Sequence, residues 1–120
     1  MYNIKNAVVD SIIMASRNIY PKEFISMLGG GDKTIEELVI LPAEFGDDFS
    51  SFRFDLAPIF DKTIIGTVHS HPTSGNDPSF ADLEAFRKTG QVHIIIGYPY
   101  ALNTMKAFDN SGKIVPLKVV

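Results

Sequence analysis

Residues 64–71, Ile-Ile-Gly-Thr-Val-His-Ser-His, form a β-branched, apolar run that ends in two histidines and is closed by Pro72. A run of this kind belongs in the middle of a sheet, covered on both faces. Strand side chains alternate between faces, so His69 and His71 leave the strand end on the same side. The fold must therefore present two imidazoles at the tip of a central strand. Downstream, Ser79 and Asp82 complete the spacing H-x-H-P-x6-S-x2-D. Two neutral imidazoles and a carboxylate are the ligand set of a catalytic zinc, which keeps a fourth position for water.

The bulk composition narrows the classes. With 120 residues, 45% of them apolar, the chain is expected to form one domain over residues 1–120 with a real core. A formal charge of −3 argues against a general nucleic-acid or anionic-membrane binder. There is no cysteine, which excludes disulfides, cysteine-ligated zinc and thiol nucleophiles and fits a reducing cytoplasm. No signal-peptide pattern is visible, and runs such as Ile94-Ile95-Ile96 are far too short to span a bilayer.

Along the chain, Ile4, Val8, Ile12, Ala15 and Ile19 recur at helical spacing, which predicts an amphipathic helix over 3–20 stopped by Pro21. Residues 23–28 read as a buried strand closed by the turn cluster Gly29-Gly30-Gly31-Asp32, and 33–41 as its hairpin partner. An acidic loop (42–48) leads to a third strand, Phe49–Phe54, with its alternating pattern, and 55–62 is irregular around Pro58. Strand 64–71 follows, then a polar loop. Asp77-Pro78 is the expected start of a helix that runs to about Lys88 and stops at Gly90. Gln91–Tyr98 reads as another buried strand, and 103–109 with 113–119 as a closing hairpin over Asn110-Ser111-Gly112. The expected order is α-β-β-β-β-α-β-β-β, an α/β (α+β) arrangement with a mixed sheet flanked by helices.

On the second helix Ser79 and Asp82 lie three apart and share a face that Leu83 and Phe86 continue. A structural helix has no need of a serine and an aspartate at its buried end; a helix entering a metal site does. Amide hydrolysis further requires a base for the water proton and a donor for the developing oxyanion. Ser79 is placed for the second task. The base must come from outside the motif, where Glu23, Glu36, Glu37, Glu44 and Glu84 all stand as candidates. Glu23 opens a strand expected to be central and apolar, where an isolated carboxylate is costly without a task, and it is the preferred choice. His93, in an apolar strand, reads as a core or partner-facing histidine, and Asp77 as a helix cap close enough to the site to support a ligand from behind. Phe45, Phe49, Phe52, Phe54 and Phe60 read as core and groove wall. Thr67 and Ser70 read by default as strand-face residues, with hydrogen bonding near the site as the alternative.

With Glu23, His69, His71, Pro72, Ser79 and Asp82 at these spacings, the chain resembles the JAMM (MPN-plus, Mov34/JAB1) zinc metalloproteases, in a minimal archaeal or bacterial form. The early segment Glu23-Phe-Ile-Ser-Met-Leu-Gly-Gly30 is similar to the family's E-x-x-G-x-L-x-G, with Ser26 where glycine is usual. The resemblance implies a strongly curved sheet in the MPN (cytidine-deaminase-like) fold. It implies one Zn2+ held by His69, His71 and Asp82, with Glu23 as general acid/base and Ser79 supporting the tetrahedral intermediate. It also implies ubiquitin-like protein substrates or their conjugates, cut after a Gly-Gly tail by a zinc isopeptidase or peptidase. The chain lacks room for the long insertions of eukaryotic relatives, which suits small modifiers or sulfur carriers of ubiquitin-like shape. The alternative is a non-catalytic MPN scaffold.

Overall fold

A computed structural model of the chain describes residues 1–39, 63–88 and 90–120. The expected strand Phe49–Phe54, the loops on either side of it, Glu44 and the five phenylalanines between 45 and 60 lie outside the described residues. The elements are β1 (Tyr2–Ile4), α1 (Asn6–Ile19), β2 (Ile25–Gly31), β3 (Thr34–Val39), β4 (Ile64–His71), α2 (Phe80–Phe86), β5 (Val92–Gly97), β6 (Met105–Phe108), β7 (Ile114–Val115) and β8 (Leu117–Val119). Among the described residues no helix is long and apolar enough to cross a membrane.

All these strands join one sheet in the order β7-β6-β5-β4-β2-β3-β1-β8. The pairs β4–β5, β1–β3 and β1–β8 are parallel and the rest antiparallel, so the sheet is mixed as expected. Strands β7 and β8 stand at opposite ends of that order, yet only Pro116 separates them in the chain. A single residue reaches under 4 Å. The sheet must therefore curl almost fully round to bring its two ends together.

The central position of β4 follows from its sequence. Residues 66–70 are buried, between antiparallel β2 and parallel β5. Gly66 permits the close approach: a Cβ there would run into the Val92 carbonyl of β5. The alternation of β4 and β5 divides the core. Val68, Ile94 and Ile96 join Val8, Val9 and Ile12 of α1 on one side. Ile95, Met27 and Phe108 pack with Ala85 and Phe86 of α2 on the other. His69 is paired with Ile95, which places the histidines on the α2 side.

Four expectations need correction. Residues 2–4 are a strand, not helix: Ile4 sits at helical spacing from Val8, but it is fully buried between β3 and β8. The glycine cluster is not the turn. Gly29, Gly30 and Gly31 pair with β3, and the reversal falls on Asp32 and Lys33, both with positive φ. The second helix is capped by Ser79, not Asp77, whose exposed carboxylate pairs instead with Lys106 at 3.1 Å. Segment 113–119 is two strands, because Pro116 lacks the N–H that would continue the ladder.

His93 is a core residue. It is fully buried, its ring stacks on Phe86 at 4.3 Å, and its Nδ1 lies 2.6 Å from the Thr67 hydroxyl. Burial first, and the nearby His69 second, push its pKa down to about 3. The unfolded chain, with an ordinary histidine near 6.5, therefore binds a proton that the folded chain refuses. His93 is fully compatible with folding above that ordinary value, and stability drains as pH falls toward 3. The expected loss is about 1.4 kcal/mol per pH unit below roughly 6. Urea unfolding of wild type and His93→Leu across pH 4–7.5 checks this: the variant's stability should fall less steeply with acid.

Candidate metal centre

The end of β4 leaves the core gradually. His69 is fully buried and His71, two residues on, is half-buried. Their Nε2 atoms lie 3.1 Å apart. The third group arrives from α2. Ser79 is the N-cap: its Oγ accepts from the Asp82 backbone N–H at 3.1 Å, while the Ser79 N–H donates to Asp82 Oδ2 at 2.9 Å. This reciprocal capping box fixes the carboxylate of Asp82 at the start of the helix. Asp82 Oδ1 is then 3.3 Å from His69 Nε2, and Oδ2 is 3.2 Å from His71 Nε2.

The loop between strand and helix supplies the remaining restraint. His71 Nδ1 lies 3.1 Å from the Gly75 carbonyl, which can only accept, so Nδ1 carries a proton and Nε2 is the atom left to bind a cation. The loop can lie this close because β5 ends in glycine. A Cβ on Gly97 would stand 3.0–3.2 Å from the carbonyl oxygens of Thr73, Ser74 and Gly75. Gly97 is paired with His71, and Tyr98 N–H donates to the Thr73 carbonyl at 2.8 Å.

Glu23 does not begin β2 but precedes it by two residues. Ile25 pairs with His69 in antiparallel register, and Phe24 continues the ladder: Ser70 N–H donates to the Phe24 carbonyl, and Phe24 N–H donates to Ser70 Oγ at 2.8 Å. Two residues back from Ile25 and two on from His69 bring Glu23 level with His71, and the Glu23 charge acts on that ring. Ser70 is thus more than a strand-face residue, since it pins the segment that carries Glu23. Among the described residues the other glutamates are elsewhere. Glu36 and Glu37 lie exposed on β3, and Glu84 is exposed beside Arg87 at 3.4 Å.

The electrostatics suit a cation. The hydrogen bond to Asp82 raises the pKa of His71 against the opposing effect of burial. Burial dominates at His69 and lowers its pKa. Burial alone would raise the pKa of Asp82, but the hydrogen bonds from both imidazoles outweigh it and hold the carboxyl far below its usual range. An ionised, almost fully buried carboxylate faces two ring nitrogens, all ligand atoms within 4.8 Å of one another. Two imidazoles and one carboxylate match the donor set of catalytic zinc. His69, His71 and Asp82 form a group able to bind it.

A family profile described as prokaryotic homologues of the JAB domain matches residues 5–111. This chain belongs to that family. The JAB-domain assignment agrees with its relatives. A probable metalloprotease from Haloferax volcanii is 35% identical over 93% of this chain and 75% of its own length. A JAB1/MPN domain protein from Archaeoglobus fulgidus is 32% identical, with a TM-score of 0.78 over all of this chain and 97% of that one. A solved structure described as JAMM, a metalloprotease-like zinc site in the proteasome and signalosome, is also 32% identical, with a TM-score of 0.79 over all of this chain and 98% of that one. The chain is thus a minimal prokaryotic JAMM-type, metalloprotease-like domain with a zinc-binding centre, on a curved, nearly closed sheet.

Gly97 was not singled out by its sequence context, for a lone glycine at a strand end carries no chemical signal. Its role is testable. Gly97→Ala should displace the 73–75 loop, loosen the hold on His71 Nδ1, and weaken zinc binding about 10- to 100-fold, the range for losing an outer support of a metal ligand. Competition with a chromophoric chelator measures this, with the circular dichroism spectrum unchanged.

Proposed function

We propose that this chain, acting as one domain of residues 1–120, is a zinc isopeptidase or peptidase. On this reading it hydrolyses the amide bond after the Gly-Gly tail of ubiquitin-like modifiers or sulfur-carrier proteins in the cytoplasm. The single observation that carries the enzymatic part is the convergence of the His69, His71 and Asp82 ligand atoms beside Glu23. The alternative, a scaffold without catalysis, has no use for that convergence and expects no stoichiometric metal. The Gly-Gly preference comes from the family resemblance, and glycines suit a narrow approach to a sheet-flanked centre.

His69, His71 and Asp82 would hold the zinc, which would supply Lewis acidity to polarise the carbonyl and to lower the pKa of a water from about 15.7 to roughly 7. The rest falls to the chain. Glu23 accepts a proton as the water oxygen bonds to the carbonyl carbon. Ser79 keeps its Oγ lone pair on the Asp82 N–H and donates its own O–H proton to the developing oxyanion. As the C–N bond breaks, Glu23 returns the proton to the departing nitrogen. The sum is one amide and one water converted to one carboxylic acid and one amine.

A ubiquitin-like protein from the same organism, joined through Gly-Gly to a lysine or extended at its carboxyl end, serves as substrate, with mass spectrometry as readout. Chelation should abolish cleavage and zinc restore it; cleavage that survives metal removal would contradict the proposal. Glu23→Gln should retain zinc and fold while turnover is lost, whereas normal turnover would mean another base. Ser79→Ala carries two separable effects. Loss of the cap lowers stability by about 1 kcal/mol. Loss of the oxyanion donor slows turnover about 100- to 1,000-fold, roughly 3–4 kcal/mol in the barrier.

A further inference from the structure

One step below the metal ligands, three strands carry Thr67, His93 and Phe108 in a single register row. Thr67 of β4 stands opposite His93 of β5, and His93 stands opposite Phe108 of β6. His69 lies two residues beyond Thr67, so the row and the ligand share the α2 face of the sheet. Phe86 of α2 roofs the row. Its ring is stacked on that of His93, with centroids 4.3 Å apart and planes at 10°, and its centroid is 6.2 Å from that of Phe108. The Thr67 hydroxyl and His93 Nδ1 are joined by a short hydrogen bond of 2.6 Å. All four residues are buried.

This row repeats the layout of the metal centre at a lower level. Strands β4 and β5 are parallel, so α2 between them must run back along the sheet. From Thr67 to His69 the strand rises about 6.6 Å. From Asp82 to Phe86, one turn on and on the same face, the helix descends about 6 Å. The Thr67–Phe86 gap and the His69–Asp82 gap are thus two rungs between the same strand and the same helix. His93 fills the lower rung. The upper one measures 3.3 Å from His69 Nε2 to Asp82 Oδ1. Ligand atoms about 2.0–2.2 Å from a tetrahedral zinc stand about 3.3–3.6 Å from one another. The upper rung is therefore already set to a zinc spacing. Two apolar residues could fill the lower rung without the acid sensitivity that His93 brings. A hydrogen bond, however, is directional, and it fixes the rotation of the ring on which Phe86 rests.

We infer that Thr67 and His93 are positioning residues for the metal centre: their hydrogen bond locks the His93 ring as a strut that holds α2 at the height where Asp82 meets His69. Neither residue ligates the ion. The strut acts by pre-organisation. Without it, Asp82 and His69 must be brought to their spacing as the metal binds, and affinity falls. The inference concerns the metal centre alone and does not depend on the hydrolytic reading above.

Zinc affinity of the full chain at neutral pH, read by chelator competition, separates a strut from simple packing. Thr67→Val keeps the shape of the side chain and removes its hydroxyl; zinc binding should weaken about tenfold. Thr67→Ser keeps the hydroxyl and loses a methyl group; it should bind zinc as wild type does. A packing role expects the opposite order. His93→Phe keeps a ring against Phe86 and removes Nδ1, so it should match Thr67→Val. The double variant should bind no more weakly than either single one, because both remove the same bond. With Co2+ in place of zinc, the visible absorption bands should shift in Thr67→Val and stay in place in Thr67→Ser. Wild-type affinity in Thr67→Val, or equal losses in the Val and Ser variants, would overturn the inference. Failure of both Thr67→Val and His93→Phe to fold would do the same, by making the pair a requirement of folding. Were wild type itself to take up no zinc, the metal centre would fail as a reading, and the strut with it.

Discussion

The carboxylate of Asp82 is the point on which both architecture and chemistry depend. One of its oxygens accepts the Ser79 N–H and completes the helix cap, and the two together face both imidazoles. A buried carboxylate is expensive unless it is paired. Here the cap, the ring of His69 and the ring of His71 are its partners. The helix therefore cannot begin elsewhere without stranding the charge, and His69, His71 and Asp82 cannot come together unless the helix begins there. Fold and site are fixed by the same contacts.

The two histidines share a face but not an environment. His69, deep in the sheet, is driven toward the neutral form by burial, while His71, nearer the rim, is drawn toward the charged form by Asp82. The ring of His71 is also the one steadied from behind by Gly75, and Gly75 can reach it only because Gly97 has no side chain. Support for one ligand thus extends across three segments of chain.

Much of this was legible in the residues. Strand 64–71 is found with the expected bounds, because an eight-residue β-branched run has few other options. The spacing from His69 to Asp82 pointed to the three groups that the structure brings together, since alternation along a strand and a three-residue step at a helix start are local geometry. What depended on distant pairing was not legible. Ile4 fits the periodicity of a helix, and only β3 and β8, from far along the chain, make it a strand. Ser-x-x-Asp carries two signals in four residues, a capping box and a site motif; the second was read and the first missed, which moved the helix start to Asp77. Nor was it legible that the rings of Tyr20 and Tyr98 meet, since nothing local in the sequence brings them together.

The pairing of β4 has a consequence for how the molecule is made. Strand β4 is held antiparallel on one flank and parallel on the other, with His69 opposite Ile25 and Ile95. Sliding it by a single residue would turn both imidazoles to the α1 side, away from Asp82. A misassembled sheet would thus be blind to zinc. The ion site therefore exists only in molecules whose central strand is correctly aligned.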